Sequence, residues 1–121
     1  MSSDAAVGDT ITCTASVDDG YGGSDSTTAT ATIQNTDPTM SAVTVSPSSP
    51  SITDTLTCSA TGTDLNDGTL TAVYSWTNNT TLATLGSAST LALDASTSGP
   101  TDTIVCTVAY TDNNTASVSD S

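Results

Sequence analysis

The acidic residues are the first candidates for chemistry, because a hard cation such as Ca²⁺ takes carboxylate and amide oxygens as ligands. Asp64-Leu65-Asn66-Asp67-Gly68 is similar to the opening of a calcium-binding loop, although the later Glu of an EF-hand is absent. The same residue types are typical of an ordinary turn, which is the interpretation we favour. The alternative is a calcium site, whose candidate ligands are Asp64, Asn66, Asp67, Asp37 and Asp112.

Three Asn-X-Thr sequons, two of which overlap, offer sites for covalent modification. They begin at Asn78, Asn79 and Asn113, and all three lie in predicted loops, where N-glycosylation takes place. The chain also contains 28 Thr and 19 Ser, which are acceptors for O-linked sugars. We therefore expect a glycoprotein with glycans on Asn78, Asn79 and Asn113.

The composition argues against catalysis and against several classes of partner. The chain has no His, Lys or Arg, so the usual general bases and the groups that activate a Ser nucleophile are missing. Neighbouring carboxylates such as those of Asp18 and Asp19 diverge in a strand or turn, so they do not converge on a substrate as an acid–base pair. Without cations the chain cannot neutralise nucleic-acid phosphates. No apolar run approaches the ~20 residues that span a bilayer. We expect no enzyme, no nucleic-acid partner and no membrane insertion.

Alternating apolar and polar residues predict an all-β protein. The chain is 35% hydrophobic and contains no Phe, but Thr is β-branched and favours strands. Short alternating runs recur between turns rich in Gly, Pro, Asn and Asp, and no segment has a sustained helical period. The predicted strands cover residues 10–17, 27–34, 40–45, 54–60, 70–77, 82–85, 90–93 and 103–110. Many short strands at this spacing are typical of a β-sandwich.

An internal repeat divides the chain. Asp9-Thr10-Ile11-Thr12-Cys13-Thr14 matches Asp102-Thr103-Ile104-Val105-Cys106-Thr107, 93 positions further on. Ser24-Asp25-Ser26 matches Ser119-Asp120-Ser121 at 95 positions, which implies a small loop difference. We therefore interpret residues 1–36 as the last two strands of one repeat. Residues 37–121 are the next repeat, which is expected to stop before its own last strand.

Two segments carry a resemblance to a known family. Residues 59–70 (SATGTDLNDGTL), followed by Val73-Tyr-Ser-Trp-Thr-Asn-Asn79, are similar to the immunoglobulin-like tandem repeats of large secreted bacterial and archaeal surface proteins. Asn35-Thr36-Asp37-Pro38-Thr39 is similar to their interdomain linker. The resemblance covers residues 37–121, and residues 1–36 match the end of a preceding repeat.

The resemblance implies an immunoglobulin-like β-sandwich with Cys58, Trp76 and Cys106 in strands B, C and F. It implies a Cys58–Cys106 disulfide between the sheets with Trp76 packed against it, and a bond from Cys13 to the B-strand cysteine of the preceding repeat. Three free buried thiols are the alternative. Trp76 follows Cys58 by 18 residues and Ile104 takes the place of the tyrosine-corner residue, so antibody-type recognition is not implied.

Both ends of the chain then look like incomplete sandwiches with exposed strand edges. Either the segment is cut from a continuous array of repeats, or separate subunits donate strands head to tail; the duplicated F strand favours the array. Both explanations predict a structural, glycosylated filament or stalk at the cell surface, built from other copies or neighbouring repeats. The alternative function is an adhesin that binds carbohydrate or a cell surface, with or without calcium. Its stacking residues would have to come from Tyr21, Tyr74, Tyr110 and Trp76.

Overall fold

The computed structural model describes residues 5–121 and is all-β over that range. It contains twelve strands, which fall into two compact units, Met1–Thr36 and Asp37–Ser121. The first unit holds β1 (Thr10–Asp18) and β2 (Ser24–Thr32). The strands of the second unit are β3 (Thr39–Met40), β4 (Thr44–Ser46), β5 (Thr55–Ser59), β6 (Gly62–Asp64), β7 (Gly68–Thr69), β8 (Val73–Asn78), β9 (Ala83–Gly86), β10 (Thr90–Ala92), β11 (Ile104–Thr111) and β12 (Ser117–Asp120).

The second unit is a β-sandwich. One sheet has the strand order β12-β11-β8-β9, and the other side is built from the orders β10-β5-β4 and β3-β6-β7. The last two run into each other, because Ser41 donates its N–H to Thr61 O and its Oγ accepts the N–H of Thr61. The first strand that the sequence predicts for this unit, residues 40–45, is therefore split into β3 and β4 by a short break in the ladder, and β5 and β6 are separated in the same way.

The core of the sandwich follows from the period of two along each strand. Alternate residues of β5 and β11 point inward, and the buried apolar set is Leu56, Cys58, Trp76, Cys106, Val108 and Tyr110. The predicted disulfide is present between Cys58 on β5 and Cys106 on β11, so it joins the two sheets. Trp76 is fully buried as expected, and its Nε1–H donates to Ala88 O at 2.8 Å.

Tyr110 closes one end of this core. Its hydroxyl donates to Ala60 O at 2.8 Å, 50 positions earlier in the chain. Gly62 lies directly beneath the ring, and a Cβ at that position would overlap the aromatic carbon atoms. A glycine is therefore required here by close packing rather than by backbone conformation.

The last strand differs from the sequence prediction. Residues 37–121 were expected to stop before this strand, but Ser117–Asp120 form β12, which is antiparallel to β11. In the first unit β2 begins at Ser24, three residues earlier than predicted. The second unit therefore contains the beginning of the strand that β2 shows at greater length.

The first unit is a two-stranded antiparallel hairpin. Asp18 pairs with Ser24 at its loop end, and Thr10 pairs with Thr32 at the other. β1 and β2 have nine residues each, and every one of these residues is exposed. The hairpin thus has the backbone pairing of a sheet without a core of its own.

Candidate functional site

The acidic residues of the predicted calcium loop serve as hydrogen-bond acceptors in turns. Asp64 is 7% exposed, and its Oδ1 accepts the N–H groups of Asn66 and Asp67 at 2.7 and 2.8 Å. Both oxygens of Asp67 are engaged by Asn113, one by its N–H and one by its Nδ2. These bonds tie the β6–β7 turn to the β11–β12 loop.

The other predicted ligands do not complete a cation cage. Oδ1 of Asp112 accepts the N–H groups of Asn114 and Ala116, and Asp37 is exposed. Among residues 5–121, no group of three or more Asp, Glu, Cys or His side chains is arranged to hold a metal ion. Asp64 Oδ2 is buried without a hydrogen-bond partner. The turn therefore uses only Oδ1 of the two carboxylate oxygens of Asp64.

The structure separates the three sequon asparagines. Asn78 is fully buried; its Nδ2 donates to Thr97 O and Asp102 Oδ2, and its Oδ1 accepts the N–H groups of Thr80 and Thr81. A glycan would replace one of the two N–H bonds inside the protein, which rules out Asn78 as an attachment site in the folded chain. Sequence reasoning missed this role because a sequon carries no information about burial.

Asn79 and Asn113 keep the exposure that a glycan needs. Oδ1 of Asn79 accepts the hydroxyl of Thr77, and its backbone N–H donates to Thr103 O. Asn113 uses one N–H of its amide on Asp67. An N-linked sugar leaves one amide N–H in place, so this bond is compatible with glycosylation at Asn113.

Asp102 is a structural partner whose role no sequence pattern indicated. Its Oδ2 accepts the Gly99 N–H at 2.8 Å and the Asn78 amide at 2.7 Å. These two bonds lower the pKa of the Asp102 carboxyl, against a smaller opposing effect of burial. Asp102 thereby fixes the loop that leads into β11.

The hairpin carries an uncovered apolar face. Cross-strand partners share a face, so Ile11 and Ala31 lie beside Cys13 and Ala29. Ala15 and Val17 continue the same row, whereas the opposite face carries Thr pairs such as Thr12 and Thr30. Ile11 and Val17 are 46% and 70% exposed, and Cys13 is an exposed free thiol.

This hairpin has the same Asp-centred loop hydrogen bonds as β11–β12. In both hairpins the residue after the first strand is an Asp, Asp19 or Asp112, whose Oδ1 accepts the N–H groups of the residues two and four positions further on. Asp18 pairs with Ser24, and Thr111 and Ser117, each 93 positions later in the chain, pair in the same way. The two loops therefore have equal length. The 95-position match of Ser24 to Ser119 is therefore corrected to Ser117.

The turn before the strand is also duplicated. Asp9 Oδ2 accepts the N–H of Ala6 at 2.8 Å, as Asp102 Oδ2 accepts that of Gly99, and in both turns the Asp N–H donates back to the same residue's carbonyl oxygen. Residues 6–25 thus repeat the local structure of residues 99–118. In the second unit this structure covers a core, and in the first unit its apolar face is exposed.

A cavity of about 400 Å³ lies at the end of the sandwich where β5 and β11 begin. Ile52, Leu93, Pro100 and Ile104 line it, and the buried hydroxyl of Ser98 has no hydrogen-bond partner. None of its lining residues is aromatic, so it offers no ring on which a sugar could stack.

Among residues 5–121 the structure has no helix long and apolar enough to cross a membrane. No protein-family model matches the chain, and comparisons with curated proteins and with solved structures found no match.

Proposed function

We propose that the chain is a structural repeat of an extracellular, glycosylated filament or surface stalk, in which immunoglobulin-like sandwiches follow one another head to tail. The observation that carries the proposal is the hairpin of the first unit. It has the strand pattern, loop and turn of β11–β12, but its apolar face has no core to cover. A sandwich element of this kind belongs to an array in which the missing part comes from a neighbour.

The covalent structure supports an extracellular location. The Cys58–Cys106 disulfide joins the two sheets, and such bonds persist in oxidising compartments. A small core without Phe gains from the bond, which adds about 4 kcal/mol in the loop-entropy model for a separation of 48 residues. Glycans on Asn79 and Asn113 would add hydrophilic cover to a surface whose only charges are carboxylates.

Electron microscopy of native extracellular material at moderate salt tests the proposal. We expect long fibres with an axial repeat of ~35–40 Å, since strands of eight residues rise ~3.3 Å per residue and loops add to the length. Density beyond the amide is expected at Asn79 and Asn113 and not at Asn78. Isolated particles or short flexible strings would contradict the filament.

The second candidate is an adhesin that binds carbohydrate or a cell surface. Tyr21 favours it, because this side chain is 96% exposed at the tip of the hairpin. Trp76 and Tyr110 are buried in the core and are not available for stacking. Binding of labelled cells or glycans that is lost in Tyr21→Ala, in protein that forms no fibres, would support the adhesin over the filament.

A further inference from the structure

We propose that the β1–β2 hairpin docks on the open core of another repeat of this chain, in the position that β11–β12 occupies on residues 37–93. The inference rests on the proposed function and names the partner of the exposed face. The partner is a second copy of the repeat whose own β11–β12 pair is absent or displaced.

The match between the two hairpins identifies this partner. Ile11 and Cys13 of β1 are identical to Ile104 and Cys106 of β11, and the next two inward positions are apolar in both strands. The face that β11 turns to the core is therefore the face that β1 leaves exposed. The structure thus already contains a hairpin of the same build seated on the surface that we assign to β1–β2.

The pairing of β11 with β8 gives the register of the proposed contact. Ile104 lies opposite Asn78, Cys106 opposite Trp76, and Val108 opposite Tyr74. Transferred by 93 positions, Cys13 lies opposite the partner's Trp76. It then faces the partner's Cys58 as Cys106 does, at a Cα–Cα distance of 6.4 Å, which is within the range for a disulfide.

Asp9 extends the contact beyond the strand. It occupies the position of Asp102, whose Oδ2 accepts both its own turn's N–H and the Nδ2 of Asn78. In the docked hairpin Asp9 keeps the Ala6 N–H that it already holds and accepts the partner's Asn78 amide. The hairpin would therefore satisfy the buried amide of the partner's Asn78. Within one repeat Asp102, two residues before β11, accepts this bond.

Two positions make the fit selective. Asp25, opposite Val17, stands where β12 has Val118, which packs against the core. Val17 stands where β11 has Tyr110, whose ring covers Gly62 and whose hydroxyl bonds Ala60 O. With Val17 in that place a cavity would open above Gly62, and the carbonyl of Ala60 would lose its donor. The hairpin thus fits this site less closely than β11 does, and it docks where β11–β12 has left the core.

A thiol-trapping experiment tests the docking. The acceptor is the full chain with Cys13→Ser and Cys106→Ser, which leaves only the Cys58 thiol, and the donor is the wild-type chain, whose Cys58–Cys106 bond leaves only Cys13. Oxidised glutathione takes up the two electrons and two protons that the thiols release. We expect a Cys13–Cys58 heterodimer on a non-reducing gel, with the linked peptides identified by mass spectrometry after Asp-directed cleavage.

Two donors of equal charge separate docking from random thiol chemistry. Ile11→Asp places a carboxylate on the apolar face, and Thr12→Asp places it on the opposite face, which carries Thr hydroxyls. We expect Ile11→Asp to lower the yield at least about tenfold and Thr12→Asp to leave it near the wild-type yield. Equal yields from both donors with a folded acceptor would overturn the proposal.

A second measurement covers an acceptor that fails to fold. The wild-type chain is reduced, unfolded and reoxidised at high concentration, where Cys58 can choose between Cys106 and the Cys13 of another chain. A Cys13–Cys58 dimer that forms as a minor product, and that Ile11→Asp but not Thr12→Asp suppresses, supports docking; its absence overturns it. Selective docking in protein that forms no fibres would contradict the filament alone, and fibres in which Cys13 stays reactive would contradict the docking alone.

Discussion

At the scale of single residues, Asn78 shows how one side chain can organise three segments. Its amide holds the β10–β11 loop through Thr97 and Asp102, and it caps the turn at Thr80 and Thr81. Because the group is fully buried, each lost bond leaves a polar partner without water to replace it. Its neighbour Asn79 has the same sequon chemistry on the exposed side of the strand end.

We expect Asn78→Ala to lower the free energy of unfolding by about 2–4 kcal/mol, because four hydrogen bonds are lost at a buried position. Asn79→Ala is the matched control and should change it by less than about 0.5 kcal/mol. Guanidinium unfolding followed by Trp76 fluorescence measures both. Similar effects of the two substitutions would show that the hydrogen bonds of the Asn78 amide do not stabilise the fold.

Tyr110 gives a pH dependence at the same scale. Burial, and secondarily the proximity of Tyr74, raise the pKa of the Tyr110 hydroxyl above its usual value of 10.0. Above pH 10 the unfolded chain loses this proton while the folded chain keeps it, so the stability that is present in full below pH 10 falls as the pH rises.

Tyr110→Phe should remove that decline. It should also cost about 1–2 kcal/mol at pH 7, because Ala60 O loses its donor. Tyr21→Phe, at a side chain that is 96% exposed, is the control and should retain the wild-type pH profile. Denaturation midpoints between pH 7 and pH 11 test this, and a decline of equal slope in Tyr110→Phe would assign the effect to another group.

At the scale of strands and hairpins, the first unit lacks the buried core that stabilises the second unit. An isolated two-stranded hairpin is marginal in water, and every residue of β1 and β2 is exposed. β11, by contrast, pairs on both sides and covers the core. Amides of β1 should exchange with solvent hydrogen at least ~100-fold faster than those of β11.

Hydrogen exchange with mass spectrometry, on the wild-type chain before and after assembly, measures this difference. Residues 10–32 should become protected in fibres and should remain unprotected in monomers, whereas protection of β8 should change little. Protection of β1 and β2 in the monomer would mean that the hairpin is already covered and has no need of a partner.

Elements are also where sequence reasoning succeeded and failed. Period-two alternation identified most strands, and the order Cys58, Trp76, Cys106 led through the family resemblance to the disulfide and the buried Trp76. The prediction that Asp64 and its neighbours form a turn matches the bonds from Asn66 and Asp67. Local patterns carry this information because turns and alternation are set by adjacent residues.

The failures concern contacts between distant residues. Nothing in the Asn78 sequon indicates that its amide meets Asp102, 24 positions later. The equal loop length of the two hairpins was hidden by the Ser-Asp-Ser match, which aligned Asp25 with Asp120 by identity. The strand register instead places Asp25 at the position of Val118, because Asp25 pairs with Val17 and Val118 with Tyr110. Only the pairing in the sheet resolves that difference.

At the scale of the whole molecule, the charge of −13 without any cation sets the response to salt. The chain has no Lys, Arg or His side chain to form ion pairs that salt could weaken, so added ions mainly screen repulsion between carboxylates. We expect the melting temperature to rise by roughly 5 °C between ~10 mM and ~0.5 M NaCl, a gain of about 1 kcal/mol.

Calcium at matched ionic strength distinguishes screening from binding. If the carboxylates of Asp64, Asp67 and Asp112 act only as turn acceptors, CaCl₂ should stabilise the chain no more than NaCl does. An additional rise at millimolar CaCl₂ that Asp64→Asn abolishes, and that Asp120→Asn at the exposed end of β12 does not, would establish a cation at the unused Oδ2 of Asp64.

In the proposed head-to-tail array the same charge would oppose assembly, because every junction would bring two acidic repeats together. Docking of the hairpin face buries apolar side chains and one carboxylate, that of Asp25. The apolar attraction should depend weakly on salt, whereas repulsion between carboxylates is screened beyond a Debye length of about 10 Å at 0.1 M. Fibre length of the wild type should therefore increase with NaCl. Fibre length of Ile11→Asp should not, because this variant lacks the apolar contact that drives association once repulsion is screened. Light scattering across a salt series measures both, and equal growth of the two proteins would mean that salt drives association through another surface.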